Sequence, residues 1–213
     1  MSHSSSQSER DRWNRKQRDA DFAGADLRKN ADLFLEFAFS EYIRPLYPHG
    51  GTALDLAGGI GRHSIWMARQ GWEVTLIDIS EVGVAKARQN AGPLAPHIDF
   101  VLDDLTHFDA SQTAAGKQHA GAFDVVMNFF YLERKIFPEL VNALRPGGLL
   151  IYKTYTAAQA ELADGPKNPC HLLESGELER LAGKLEILHH RERIGETATA
   201  ELVARKKTVG SAV

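Results

Sequence analysis

The chain has 213 residues, 43% hydrophobic and 25% charged, with a formal net charge of −3. That length suits one domain with a substantial core, and the slight acidity argues against general binding to nucleic-acid phosphates while leaving room for a local basic patch. A lone cysteine, Cys170, excludes an intrachain disulfide framework or a cysteine-rich zinc site and fits a reducing cytoplasm.

No apolar run is long enough to span a membrane. The N-terminus, MSHSSSQSERDRWNRKQRDAD, has no apolar h-region of a signal peptide. Its first eight or so residues, Ser-rich and polar, are predicted to be disordered. From Arg10 to Asn30 the chain is polar and helix-compatible, with Trp13 and Phe22 as apolar anchors. Residues 1–30 therefore read as a flexible or helical segment. It either packs on the sheet edge or forms a lid over a ligand cleft. Next, Leu33, Phe34, Phe37, Ala38 and Ile43 stand near helical spacing and predict a packed helix. Pro45 and Pro48 end it.

A first strand follows through Ala53, Leu54 and Leu56, apolar as a parallel strand covered on both faces should be. Ala57-Gly58-Gly59-Ile60-Gly61 then forms a turn where the glycines allow sharp bends and close approach of a ligand. The helix after it, from about Arg62 to Gln70, points its N-terminus at the turn, which suits an anionic group. A dinucleotide fingerprint fails here, because its third glycine falls at Ser64. A tight strand–helix turn without a ligand is the plain alternative.

Gly71 stops that helix, and Trp72 to Asp78 reads as a second strand ending in an acid. Ser80 caps a helix from Glu81 to about Asn90. Ile98 to Leu102 is the third strand, running into Asp103-Asp104-Leu105. Residues 111–121 read as a loop or poor helix, and Phe123 to Asn128 as the fourth strand. Leu132, Ile136, Phe137, Leu140 and Leu144 then mark a helix, with a kink or fresh start at Pro138. Arg145-Pro146-Gly147-Gly148 turns into a fifth strand, Leu149 to Lys153. Five alternations predict right-handed crossovers and a three-layer, doubly wound α/β sheet. The tail differs: a helix from Glu174 to Ala182, then strands Leu185–Arg193 and Thr197–Lys206, joined closely enough to make an antiparallel hairpin.

The acid before the turn, Asp55, with Gly59 and Gly61 as second and third glycines, resembles the acidic-x-G-x-G-x-G pattern of class I S-adenosylmethionine (SAM) methyltransferases. Ala57 replaces the first glycine. The strand-end acids, the Pro-Gly-Gly turn and the final hairpin extend the resemblance over about Asp32 to Lys206. It implies strand order 3-2-1-4-5-7-6 with strand 7 antiparallel, and a methyltransferase domain over residues 31–213. Asn128-Phe129-Phe130-Tyr131-Leu132-Glu133-Arg134 and Gly165-Pro166-Lys167-Asn168-Pro169 look similar to the small tellurite-resistance and thiopurine-type group. The Asn-Pro-Pro-Tyr motif of amino-group methyltransferases is echoed only without its prolines.

By that resemblance the backbone of Ala57, Gly58, Gly59 and Gly61 cradles the methionine part of SAM, and Asp55 orients that loop or meets the amino group through water. Asp78 meets the ribose, with Ile79 next to it also in the cofactor site. Asp104 and Leu105 meet the adenine, with Asp103 as a rival, and Asn128 lies beside the sulfonium and methyl group. The expected activity is in-line methyl transfer to a small molecule, with S-adenosylhomocysteine (SAH) as product. A protein or RNA acceptor, suggested by Arg10, Arg12, Arg15, Lys16 and Arg18, is the alternative, as is a SAM-binding module without catalysis. Tyr131, Arg134, Lys153, Tyr155 and His171 are candidate acceptor-side residues; solvated or packing roles compete for each. His189 and His190 adjoin on one strand and so face opposite ways, which argues against joint metal binding. No metal is expected, and oligomeric state is left open.

Overall fold

The computed structural model describes residues 3–19, 30–110 and 121–208; the expectations for Phe22 and for residues 111–120 lie outside them. Seven strands form one sheet: β1 (Thr52–Leu56), β2 (Glu73–Asp78), β3 (Ile98–Leu102), β4 (Phe123–Phe129), β5 (Leu144–Tyr155), β6 (Glu186–Ile194) and β7 (Ala198–Arg205). Their order is β3-β2-β1-β4-β5-β7-β6. β1 to β5 pair in parallel, and β7 runs antiparallel to both β5 and β6. The helices are α1 (His3–Asp19), α2 (Leu33–Ala38), α3 (Arg44–Leu46), α4 (Arg62–Arg69), α5 (Glu81–Ala91), α6 (Phe137–Ala143) and α7 (Glu177–Leu181).

The central strands bury both faces. Leu54, Leu56, Val126, Leu150 and Tyr152 enter one core with α6 and α7; Ala53, Val125, Met127, Ile151 and Val203 enter the other with α2 and α4. That is why β4 is buried at every position rather than at alternate ones. Ser80 caps α5 as expected, accepting from the Gly83 N–H at 3.0 Å, and α6 starts afresh with Pro138 in its first turn.

Several expectations need correction. Residues 3–8, predicted to be disordered, form the first turns of α1. In the segment after Ala31, Leu33 is 80% exposed, whereas Leu35 and Phe39 are buried. The register differs because Asp32 caps α2 and a π-helical turn over Phe39–Ile43 shifts the following face. Pro45 lies within α3 rather than after the helical run. Arg145–Gly148 falls inside the span of β5, which starts at Leu144 and meets β4 through an irregularity between Phe123 and Val125.

Candidate functional site

At the C-terminal end of β1 the backbone enters a left-handed conformation at Ala57 (φ 55°), again at Gly59 (φ 54°) and at Gly61 (φ 83°). For alanine this region costs about 1–2 kcal/mol, which is why glycine is usual there. A Cβ on Gly58 would lie 2.7 Å from Leu76 Cγ and 3.0 Å from Asp55 Oδ2, and one on Gly61 would lie 3.0 Å from Ala87 Cβ. The turn is thus pressed against β2 and α5 and tolerates no side chain at either point.

Two buried carboxylates fix its shape. Asp55 Oδ2 accepts from Ser64 Oγ at 2.6 Å and Ser64 N at 3.1 Å, so it ties the end of β1 to α4. Burial pushes its pKa up to about 7, against the pull of these Ser64 bonds. Asp78 Oδ2 accepts from the Gly59 N–H at 2.8 Å, and its Oδ1 from the Ser80 N–H at 2.8 Å. Burial raises this carboxyl too, outweighing its backbone N–H bonds, the Ile79 N–H among them. Ile79 itself is half-buried at the strand end.

The Asp103 N–H bonds to Asp78 O at 3.1 Å, which brings the third strand's acids to the same edge. Asp104 Oδ1 accepts from Thr106 N and Oγ1, capping a short turn that buries Leu105, and Asp103 Oδ1 holds the Asp104 N–H. Asn128 is 0% exposed, and neither its Oδ1 nor its Nδ2 has a hydrogen-bond partner. It pairs with Leu56, the last residue of β1, and with Tyr152 of β5. An amide buried with both ends open is costly. It fits a polar ligand at the mouth of the turn, as does the bare backbone beside it.

The acceptor-side candidates fare differently. Tyr131 is largely buried, and its hydroxyl is pushed up by burial and by the charges of Glu133, Asp104, Glu9 and Asp78. The Tyr152 hydroxyl donates to the Tyr131 carbonyl at 2.7 Å. Arg134 donates to Glu177 through Nε (2.6 Å) and Nη2 (3.0 Å), and to the carbonyls of Cys170 and Leu172. Its guanidinium is therefore engaged in pinning the 170–177 loop. Tyr155 packs its ring 5.0 Å from that of Phe130. His171 ends a short turn, partly exposed, on the loop that Arg134 holds.

Sequence reading missed His63, at the second position of α4, which stacks on Phe129 at 4.1 Å between ring centroids. It also missed Asp32 and Glu201 as partners of Lys153, at 2.9 and 3.1 Å. The one local signal was His63's place just after the glycine turn. Helix α1 lies over the same edge. Asn14 Oδ1 accepts from Ser80 Oγ at 2.8 Å, and Lys86 Nζ donates to Gln17 O at 2.7 Å.

Among the described residues, no group of three or more His, Cys, Asp or Glu is arranged to hold a metal, and no helix is long and apolar enough to cross a membrane. An open cavity of about 300 Å³, lined by Thr52, Glu73, His97 and Asp99 among others, lies at the N-terminal ends of the strands. Ligands of open α/β sheets bind at the other end.

The family model described as a methyltransferase domain matches residues 53–148, the stretch from β1 through the start of β5. YqeM of Bacillus subtilis (strain 168) is 30% identical over 130 residues, covering 56% of this chain and 48% of that protein. A ubiquinone biosynthesis O-methyltransferase of Xanthomonas axonopodis pv. citri (strain 306) is 31% identical over 129 residues, 58% of this chain and 51% of that protein. The chain thus spans about half the length of these curated relatives. Magnesium protoporphyrin IX methyltransferase from Synechocystis PCC 6803, solved with bound SAH, superposes with a TM-score of 0.66 at 16% identity, covering 94% of this chain and 99% of that one. Residues 53–148 thus resemble a methyltransferase domain, and the sheet that carries them has the fold of the solved class I SAM-dependent methyltransferases.

Proposed function

We propose that the chain transfers a methyl group from SAM to a small-molecule acceptor. Asn128 carries this reading: a fully buried amide, open at both ends, beside a turn whose Gly59 N–H is gripped by Asp78. SAM, when bound, supplies a methyl group on a positively charged sulfur that leaves readily. The residues then have distinct tasks. The bare backbone of residues 57–61 receives the amino-acid end. Asp78 gives the ribose hydroxyls a charged acceptor, which strengthens such bonds over neutral ones. Asp104 and Leu105 receive the adenine, polar edge and ring in turn. The protein's contribution to the rate is chiefly alignment and exclusion of water.

Helix α1 serves as the lid in this reading. Its inward face carries Glu9 near Tyr131, Asn14 on Ser80 and Gln17 beside Gly59, so it crosses the cleft from the β4 side to α5. Of its basic residues, Arg12 pairs with Glu9 and Lys16 lies over the Trp13 ring. The finer likeness to the tellurite-resistance and thiopurine-type group rests on residues 128–134 and 165–169 alone. The lone Cys170 agrees with a cytoplasmic setting.

Incubation with methyl-labelled SAM and a size-fractionated cell extract tests the proposal. Label in the small-molecule fraction is the expected result. Label confined to protein or RNA moves the acceptor to the polymer class, and no transfer to any fraction leaves only a binding module.

A further inference from the structure

On the α2 face of the sheet, at the C-terminal ends of β4, β5 and β7, lies a nearly buried group of charges outside the residues assigned to the cofactor. Lys153 Nζ sits between Asp32 Oδ1 (2.9 Å) and Glu201 Oε1 (3.1 Å), and all three side chains are at most 13% exposed. Lys153 and Glu201 face each other across β5 and β7. Asp32 Oδ1 also takes the Phe34 N–H, so both hydrogen bonds seen to this carboxylate among the described residues fall on one oxygen. Two carboxylates thus share one ammonium. The next cation, Arg62, turns its guanidinium to the carbonyls of Asn30 and Ala31. Arg191, opposite Glu201 on β6, is exposed and makes no ion pair with it.

A second, independent observation points to a ligand. His63 is only 8% exposed, and its Nε2 is buried with no hydrogen-bond partner. Burial holds its pKa down to about 3, with Arg62, Asp32 and Lys153 as the charges acting on it, so the ring is neutral. A neutral imidazole nitrogen can accept an N–H.

The third feature is an aromatic wall. Phe130 has φ 61°, a conformation rarely adopted by a bulky residue, and such strain tends to persist at working sites. Its N–H is fixed to the Lys153 carbonyl at 2.7 Å. The ring is 37% exposed, stands 5.0 Å from Tyr155 and has Lys153 Nζ 5.8 Å from its centroid. Aromatic faces attract cations through the ring quadrupole. Phe129 and Phe130 follow Asn128 directly, so this wall adjoins the proposed cofactor cleft.

We infer that the cluster of Asp32, Lys153, Glu201, His63, Phe130 and Tyr155 is the acceptor subsite, and that it takes an amine with an apolar or aromatic body. The inference rests on the methyl-transfer reading above. The carboxylate excess and the ring faces favour a protonated nitrogen on binding, with the second Asp32 oxygen and His63 Nε2 as open acceptors for its N–H groups. That nitrogen first passes one proton to the Asp32 carboxylate, and its lone pair then forms the N–C bond as the methyl–sulfur bond of SAM breaks and SAH leaves. An anionic acceptor would find Lys153 already neutralised twice.

Calorimetric titration with three matched probes tests this, each with and without SAH: 2-phenylethylamine, 2-phenylethanol and phenylacetate. The amine is expected to bind at least about tenfold tighter than either other probe. Glu201→Gln and Phe130→Ala are each expected to weaken the amine about fivefold to tenfold while leaving SAH affinity unchanged, with circular dichroism checking that each variant folds. Equal or tighter binding of phenylacetate or the alcohol overturns the amine assignment, as does amine affinity unaffected by both substitutions. The SAH titration separates the two ideas: loss of SAH binding strikes the methyl-transfer reading, whereas SAH binding without amine preference strikes only the subsite.

Discussion

The Asp78 carboxylate and the Gly59 amide are 2.8 Å apart, so the acid that ends β2 also holds the turn that follows β1. One oxygen shapes the glycine turn while the other fixes the start of α5 through Ser80. In the proposed reading, a ribose diol would meet there an acceptor that is already oriented. Because the carboxyl is buried and raised, hydrogen-bond donors from a ligand favour its ionised form.

Asp55 predicts a pH dependence of stability. Its folded pKa lies above its unfolded value of 3.8, at about 7. The folded state then binds more protons across that window, so this group's contribution is full below about pH 4 and is lost as pH rises to about 7. Asp78 acts in the same direction. In Asp55→Asn, which keeps an acceptor for Ser64, urea midpoints measured from pH 4 to pH 8 should decline less steeply than in the parent. An equally steep decline would mean that Asp55 ionises normally.

Ala57 stands in a left-handed turn position. Ala57→Gly should leave the fold intact and raise stability by up to about 1 kcal/mol, because the steric cost disappears while the unfolded chain gains some freedom. A clear loss of thermal stability would show that the alanine methyl packs productively.

Asn14 latches α1 through Ser80 Oγ and Val82 N. Removing two hydrogen bonds at about 0.5–1.5 kcal/mol each should loosen the helix. Stopped-flow release of SAH from Asn14→Ala is expected to be on the order of tenfold faster. Unchanged release would make α1 a passive edge element.

Arg134 is a structural pin by its contacts with Glu177 and the 170–172 carbonyls. Arg134→Ala should lower stability by about 1 kcal/mol, the modest size expected of a partly exposed pair, and should raise hydrogen exchange across residues 169–177. A large fall in acceptor affinity with normal stability would return this residue to the substrate side.

The strands, the Ser80 cap, the glycine turn and the acid at the end of β2 were legible because each rests on a pattern local in the sequence. Apolar runs, turn glycines and strand-end acids are local patterns. The arrangement around Lys153 and His63 was not, because it joins residues far apart in the chain: Asp32 with Lys153, Lys153 with Glu201, His63 with Phe129. Local spacing encodes none of these. The π-helical turn at Phe39–Ile43 likewise shifts a buried face without a Gly or Pro inside it. Arg134 shows the converse: a conspicuous charge beside the expected pocket was already matched by Glu177, 43 residues on.

Calorimetric titration of SAH into the parent chain and Asp78→Ala tests the central claim most directly. The account predicts one-to-one binding to the parent and a loss of roughly 10- to 100-fold in the variant, from one or two charge-assisted hydrogen bonds. No heat with the parent, or equal affinity in the two proteins, would contradict it.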